Sequence, residues 1–227
     1  MIINKLSLLV ALCVLFVTNS FAQRPNYSIK NSLGPFGGIV QSNIKTDNFI
    51  TDCGKGLTAG LTAIVNVEHK WYDVSYGIQF TESAVALSGR LVDDVAGNEM
   101  IDMKLSGAQL GFLMHGKIIG QNLTIDFGPL LQANGFFEPA EKEKEEYFVN
   151  GYDDLQVKEL RDVSKFNING AVGATAGLKN FRVRVQYQYG LTNVFAKLND
   201  QQLNVGNNTE KFKGNQSNLV FTALLLL

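Results

Sequence analysis

The stretch FRVRVQYQYGLTNV, Phe181–Val194, places Arg182, Arg184, Gln186 and Gln188 at every second position, between Phe181, Val183, Val185, Tyr187 and Tyr189. Successive strand side chains point to opposite faces, so this segment predicts a strand with one polar and one apolar face. A soluble sheet turns such an apolar face into a core. A membrane barrel turns it out to lipid. The remaining sequence bears on which of the two applies.

Alternation recurs in seven further segments. Leu33–Asn43 carries Phe36, Gly38 and Val40 in a glycine-rich setting, and Gly56–Val67 alternates Leu57, Ala59, Leu61, Ala63, Val65 and Val67 with Thr58, Gly60, Thr62, Ile64 and Asn66. Trp71–Ser83, Met103–Gly116, Asn122–Asn134, Phe166–Leu178 and Ser217–Leu227 repeat the pattern. These runs exceed the roughly 5–6 residues usual for soluble strands and suit the about 9–11 residues of a tilted bilayer-crossing strand. The connections alternate in length. Glu68–Lys70, Lys117–Gln121 and Lys179–Asn180 are short, whereas Ile44–Lys55, Ala84–Asp102, Gly135–Lys165 and Phe195–Gln216 are long. Short turns at one end and long loops at the other predict an eight-stranded antiparallel up-and-down transmembrane β-barrel, with the turns on the periplasmic side. Trp71, Tyr72 and Phe181 beside short turns, and Phe80, Phe136, Phe166, Tyr189 and Phe195 beside long loops, fit two aromatic girdles.

The beginning of the chain agrees with export. Lys5 precedes the apolar run Leu6–Val17, and Ser20-Phe21-Ala22 offers small residues at the cleavage positions. Residues 1–22 are therefore expected to be a cleaved signal peptide, leaving a single barrel domain over residues 23–227 in the cell outer membrane of a Gram-negative cell. Such a mature chain keeps one cysteine, Cys53, expected in a loop; an intrachain disulfide is excluded. The near-zero net charge argues against nucleic acid as a partner.

Parity sorts the strand residues. Val183, Val185, Tyr187, Leu123, Ile125 and Phe127 are expected to face lipid. Asp73, His115, Asp126, Arg182 and Arg184 all point inward near short turns and are expected to meet as a charge cluster in the lumen. An eight-stranded lumen is just wide enough to be filled by side chains, and buried charges persist when paired. An ionic plug follows, with a proton-responsive gate built on His115 as the sharper reading. No catalytic set is legible: His69 lies in a short turn, and Ser106 is too far along its strand to reach His115. No cofactor or metal site is expected.

Three stretches resemble a known family. LGPFGGIVQSN near the start, FNINGAVGATAGL, and VRVQYQYGLTNV with its Tyr189-Gly190-Leu191-Thr192-Asn193 run are similar to the PorT-like outer-membrane β-barrel family. The resemblance implies an eight-stranded outer-membrane barrel. Through a founding member it points to an accessory role in protein secretion. The chain departs from the family at Gly111, where a proline is frequent. It also carries Leu227 where such barrels usually end in an aromatic.

The expected function is non-catalytic: a structural or surface-binding barrel acting through long extracellular loops. Its partners would be outer-membrane lipid and an extracellular or secretion-system protein. The segment Gly135–Lys165 is the richest in charge and is expected to be a solvated loop with a short surface helix. The alternatives are a soluble lipocalin-like exported ligand binder, which needs the apolar faces inside, and a lipid-modifying enzyme dependent on His115.

Overall fold

The computed structural model describes residues 29–91, 97–201, 203–205 and 210–227. The expected signal peptide lies outside the described residues. Nine strands run in chain order: β1 Ile29–Lys45, β2 Thr51–Val67, β3 Tyr72–Arg90, β4 Glu99–Ile119, β5 Leu123–Pro139, β6 Phe148–Val149, β7 Phe166–Gly177, β8 Phe181–Gly190 and β9 Asn215–Leu225. Eight of them, all but β6, form an antiparallel ring in which each pairs with its chain neighbours. Pairing of β1 with β9, as in Val40 opposite Val220, closes it. Closure satisfies every strand edge, the condition a backbone must meet in lipid.

The short turns fall where the sequence places them. In the turn between β4 and β5, Gly120 adopts φ 53°, a left-handed conformation that glycine enters without steric cost. At the closing seam, a Cβ added to Gly38 would lie 1.8 Å from the Phe221 carbonyl oxygen on β9. Gly38→Ala therefore forces the β1–β9 seam apart. It is expected to cost about 1–3 kcal/mol, read as a smaller folded fraction on refolding into detergent.

The apolar faces turn outward. Val183, Val185, Tyr187, Ile125 and Phe127 are exposed on the outer wall, and Leu123, beside a turn, is half-buried. Gln186, Gln188, Gln109, Gln132, Asn167 and Asn169 are buried inside. This is the reverse of a lipocalin-like interior, so the apolar-inside alternative is corrected. In β1 the outward apolar residues are Leu33 and Ile39, while Val40 is buried in the lumen and Phe36 is half-buried. The expected face of Phe36, Gly38 and Val40 is thus the inner one; glycine weakens the alternation there and hides its sense.

Five strands exceed their expected spans, and β1, Ile29–Lys45, overruns Leu33–Asn43 at both ends. β3 continues past Ser83 to Arg90, and β4 begins at Glu99, so most of Ala84–Asp102 is a hairpin. β2 starts at Thr51, which puts Cys53 on a strand, exposed, and not in a loop. β5 extends to Pro139. Above the level of Phe80 the polarity inverts. Outward positions become Glu82 and Lys104, paired at 3.6 Å, while Val85, Leu87, Ile101, Met103 and Leu105 are buried inside. The strand tops are ordinary sheet, apolar inward and polar outward.

Candidate functional site: a filled lumen under a packed cap

The interior is filled in three storeys. The lowest, near the short turns, is ionic. Asp73 and His115 are register partners on β3 and β4, and His115 and Asp126 are partners on β4 and β5. The cross-strand pairing thus brings residues far apart in sequence onto one inner face. Asp126 is fully buried and receives four contacts. His115 Nδ1 lies 2.6 Å from its Oδ1, and the Thr124 hydroxyl donates to the same oxygen at 2.6 Å. The Thr175 hydroxyl donates to Oδ2, and the Arg184 Nε lies 3.5 Å from it. A second pair, Lys117 with Asp73 at 2.8 Å, sits nearer the opening. Lys117 also donates to the Val67 and Lys70 carbonyl oxygens at 3.1 and 3.2 Å. Arg182 lines a cavity of about 770 Å³ that opens among the short turns.

The five residues expected to form the lumen cluster are therefore all buried inside the ring, at 7% exposure or less. Asp126, His115 and Arg184 meet directly. Asp73 pairs with Lys117, which the inward-charge reading omitted, and Arg182 pairs with no carboxylate within 4.0 Å among the described residues.

His115 has a partner that sequence reasoning missed. Its Nε2 lies 2.7 Å from the Ser75 hydroxyl. The ionised Asp126 accepts only, so Nδ1 is assigned as the donor to it, and Nε2 and the Ser75 hydroxyl share the second hydrogen bond. Ser75 shares the inward face of β3 with Asp73 two residues away. That signal is readable, but the register opposite His115 is not. The connectivity is that of a serine–histidine–aspartate relay. Ser75 is 1% exposed and is not among the residues lining the cavity at the short turns. Ser106, by contrast, is on the outer face and exposed.

Leu113, Leu130 and Ala171 form a thin apolar layer inside the ring. Side-chain amides make up the middle storey: Gln109 donates to Gln132 at 2.6 Å, Asn169 to Gln132 at 2.5 Å, and Asn134 to Asn167 at 2.6 Å. The neutral network holds the wall together and leaves no net charge in mid-lumen.

The top storey is apolar and was not legible as such. Inward tops of the long strands pack against the loops in one core that includes Phe49, Phe137, Tyr152, Leu160, Phe195 and Phe212. Phe49 meets Phe195 edge-on at 5.5 Å and stacks on Phe212 at 5.6 Å. The expected solvated loop Gly135–Lys165 is corrected to a folded cap. It holds two short 3-10 turns, Lys142–Glu146 and Val157–Arg161, and strand β6 pairs with Gly89 and Arg90 of β3. Gln156 and Glu159 close a capping box, the Gln156 N–H donating to Glu159 Oε2 at 2.8 Å. Lys144 ties the first turn to Glu99 at 2.8 Å, and the carboxylates of Glu99 and Glu141 hold its ammonium well above the ordinary lysine range. Burial pushes the Tyr152 phenol above its usual value.

Asn193 organises the other long loop. Its Oδ1 accepts from the Phe195 and Gly214 N–H groups at 3.0 and 2.8 Å, and its Nδ2 donates to the Phe212 carbonyl at 2.9 Å. Phe195 is consequently 1% exposed in the cap core, which removes it from the expected outer girdle. Phe80, Phe136 and Phe166 do stand on the outer wall, as do Trp71 and Phe181 near the turns. Phe136 lies beneath Lys165 and Arg161, 3.8 and 4.3 Å from its ring centre.

The ring and its filled lumen define an eight-stranded up-and-down β-barrel. No family model and no curated protein matches the chain. Among solved structures it is similar to Neisserial surface protein A (NspA), at 9% identity and TM-score 0.49, covering 86% of this chain and 98% of that one. It is also similar to Ail, the attachment invasion locus protein of Yersinia pestis, in complex with a heparin analogue. There the identity is 12% and the TM-score 0.46, over 87% of this chain and 99% of that one.

Proposed function

We propose that the protein is a small integral barrel of the Gram-negative outer membrane, non-catalytic, which presents its packed cap outside the cell as a rigid binding surface. The polarity inversion along β3 and β4 carries this reading. Below Phe80 the outer wall is apolar and the lumen polar; above it the relation reverses, as a strand leaving lipid for water requires. From Ala108 to Ile118 the outward belt of β4 runs about 34 Å along the strand at ~3.4 Å per residue. A tilt of about 35–45° reduces this to ~26 Å, close to the roughly 25 Å apolar band of an outer-membrane barrel. A cap with its own core holds its surface fixed, so little ordering entropy opposes a partner that docks on it.

Val185→Arg places a cation in the middle of the proposed belt. It is expected to cost about 2–4 kcal/mol of folding into bilayers, measured by urea titration in vesicles. On a water-facing wall the same change costs little.

The orientation is tested on intact cells with a membrane-impermeant amine reagent. Lys142 and Lys158, exposed on the cap, are expected to react, while Lys70 and Lys179, exposed at the short turns, react only after the envelope is opened. Equal labelling of both sets, or labelling of the short-turn set alone, contradicts the reading.

The resemblance to the PorT-like family supports a narrower role as an accessory of protein secretion. Co-purification of secretion components with the barrel, lost when the cap is unfolded, is its test. A second reading, acyl hydrolysis, is favoured by the Ser75–His115–Asp126 connectivity alone. Ser75 is inaccessible, so a fluorophosphonate probe is expected to leave it unlabelled in the folded barrel; labelling that His115→Ala abolishes would install the enzyme reading.

A further inference from the structure

We infer that the opening among the short turns is a binding site for an oxyanion, a carboxylate or phosphate group, held by Arg182. The inference goes beyond the cap-binding role and does not depend on it. The charges of the lowest storey are unevenly paired. Asp73 contacts Lys117 and Asp126 contacts Arg184, while Arg182 has no carboxylate in contact among the described residues; Glu68 and Lys179 line the same cavity. Lys117 is consumed by Asp73 and by three further acceptors, Asn66 among them at 3.3 Å. Arg184 contacts Asp126 and Thr175 through its Nε; its buried Nη2 has no hydrogen-bond partner, but Arg184 does not line the cavity. Arg182 remains. It is 7% exposed, its Nε has no hydrogen-bond partner, and no carboxylate among the described residues lies within 4.0 Å of it.

A buried guanidinium with no carboxylate in contact is costly, even with Asp73 lining the same cavity, and its planar fork of donors matches an oxyanion. Unlike Arg184, Arg182 lines the cavity of about 770 Å³, so a solute reaches it from the short-turn side. Lys179, His69, Gln121 and Asn31 also line the cavity and carry further donor groups, and the carboxylates of Asp73 and Glu68 line it as well. Residues 1–46 contain no aspartate or glutamate, so no side chain among them supplies the anion.

The test uses the full folded barrel in a neutral maltoside detergent, with the arginine Nε–H resonances followed by nitrogen-edited NMR. Sodium phosphate and sodium acetate are titrated separately, against sodium chloride at matched ionic strength. The Arg182 resonance is identified by its loss in Arg182→Gln. A saturable shift of Arg182, with Arg90 unmoved, is expected. Saturation by phosphate alone assigns a phosphate-bearing solute, and saturation by acetate alone a carboxylate. Arg182→Lys keeps the charge but loses the fork, and is expected to weaken binding about tenfold or more, read from cavity-lining amide shifts. Retention of the unboiled gel shift by each variant separates loss of binding from loss of fold. Arg182 shifts no larger than those in chloride, or shifts that do not saturate, overturn the inference.

Discussion

Asp126→Ala is expected to destabilise the barrel by about 3–5 kcal/mol, because it leaves the Arg184 cation buried without its partner. Four groups converge on this carboxylate from β4, β5, β7 and β8: His115, Thr124, Thr175 and Arg184. One substitution thus unpins half the ring. The effect is read as a fall in the urea midpoint for unfolding from lipid vesicles. The double variant Asp126→Asn with Arg184→Gln removes both charges and is expected to recover a large part, with a coupling of at least about 1 kcal/mol. A single-variant loss below about 1 kcal/mol, equal to that of an exposed ion pair, contradicts an ionic plug. The pair Lys104–Glu82, exposed on the outer wall, supplies that comparison.

Phe195→Ala is expected to act on the cap and spare the barrel. Its ring is fully enclosed between Phe49 and Phe137, at 5.5 and 6.0 Å. Removing a buried phenylalanine costs about 3–5 kcal/mol. The core it anchors holds both long loops, so the loops should open together. Limited proteolysis checks this: residues 141–163 and 196–201 become cleavable while the ring below stays intact on an unboiled gel. Phe166→Ala, at a residue 82% exposed on the outer wall, should leave the cap resistant. Cleavage that proceeds equally in the unmodified protein and in Phe195→Ala would show that the cap is not a packed unit.

The barrel is legible in the sequence because its determinants are local. Alternation names the strands, and loop lengths order them. β7 is found to within a residue, and β8 starts at Phe181 as expected but ends at Gly190, four residues short of Val194. The inner charges are legible from parity for the same reason. What parity lacks is register, and so Ser75 and Lys117 are missed as the partners of His115 and Asp73 although both are inward. The strand tops are missed for a different reason. A search for apolar residues facing out stops at Ser83 and Met103, where Val85, Leu87, Ile101 and Met103 begin to face in. The alternation continues, but its sense has changed. The cap core is assembled from Phe49, Tyr152, Leu160, Phe195 and Phe212, which are scattered through segments rich in charge. Tyr152, Leu160 and Phe212 are isolated apolar residues in the chain, Phe49 and Phe195 sit in apolar runs of two and three, and only the closed ring brings them together.

The central claim, a closed barrel with its apolar wall in the outer membrane, is tested most directly by heat-modifiability. The full chain is expressed in a Gram-negative host, the outer membranes are isolated, and the fraction is run on a denaturing gel with and without boiling. The protein is expected in the membrane pellet, with a distinct unboiled band that boiling converts to the mobility of the 24.9 kDa chain or its processed form. Recovery in the soluble periplasmic fraction, with one mobility before and after boiling, would contradict the claim.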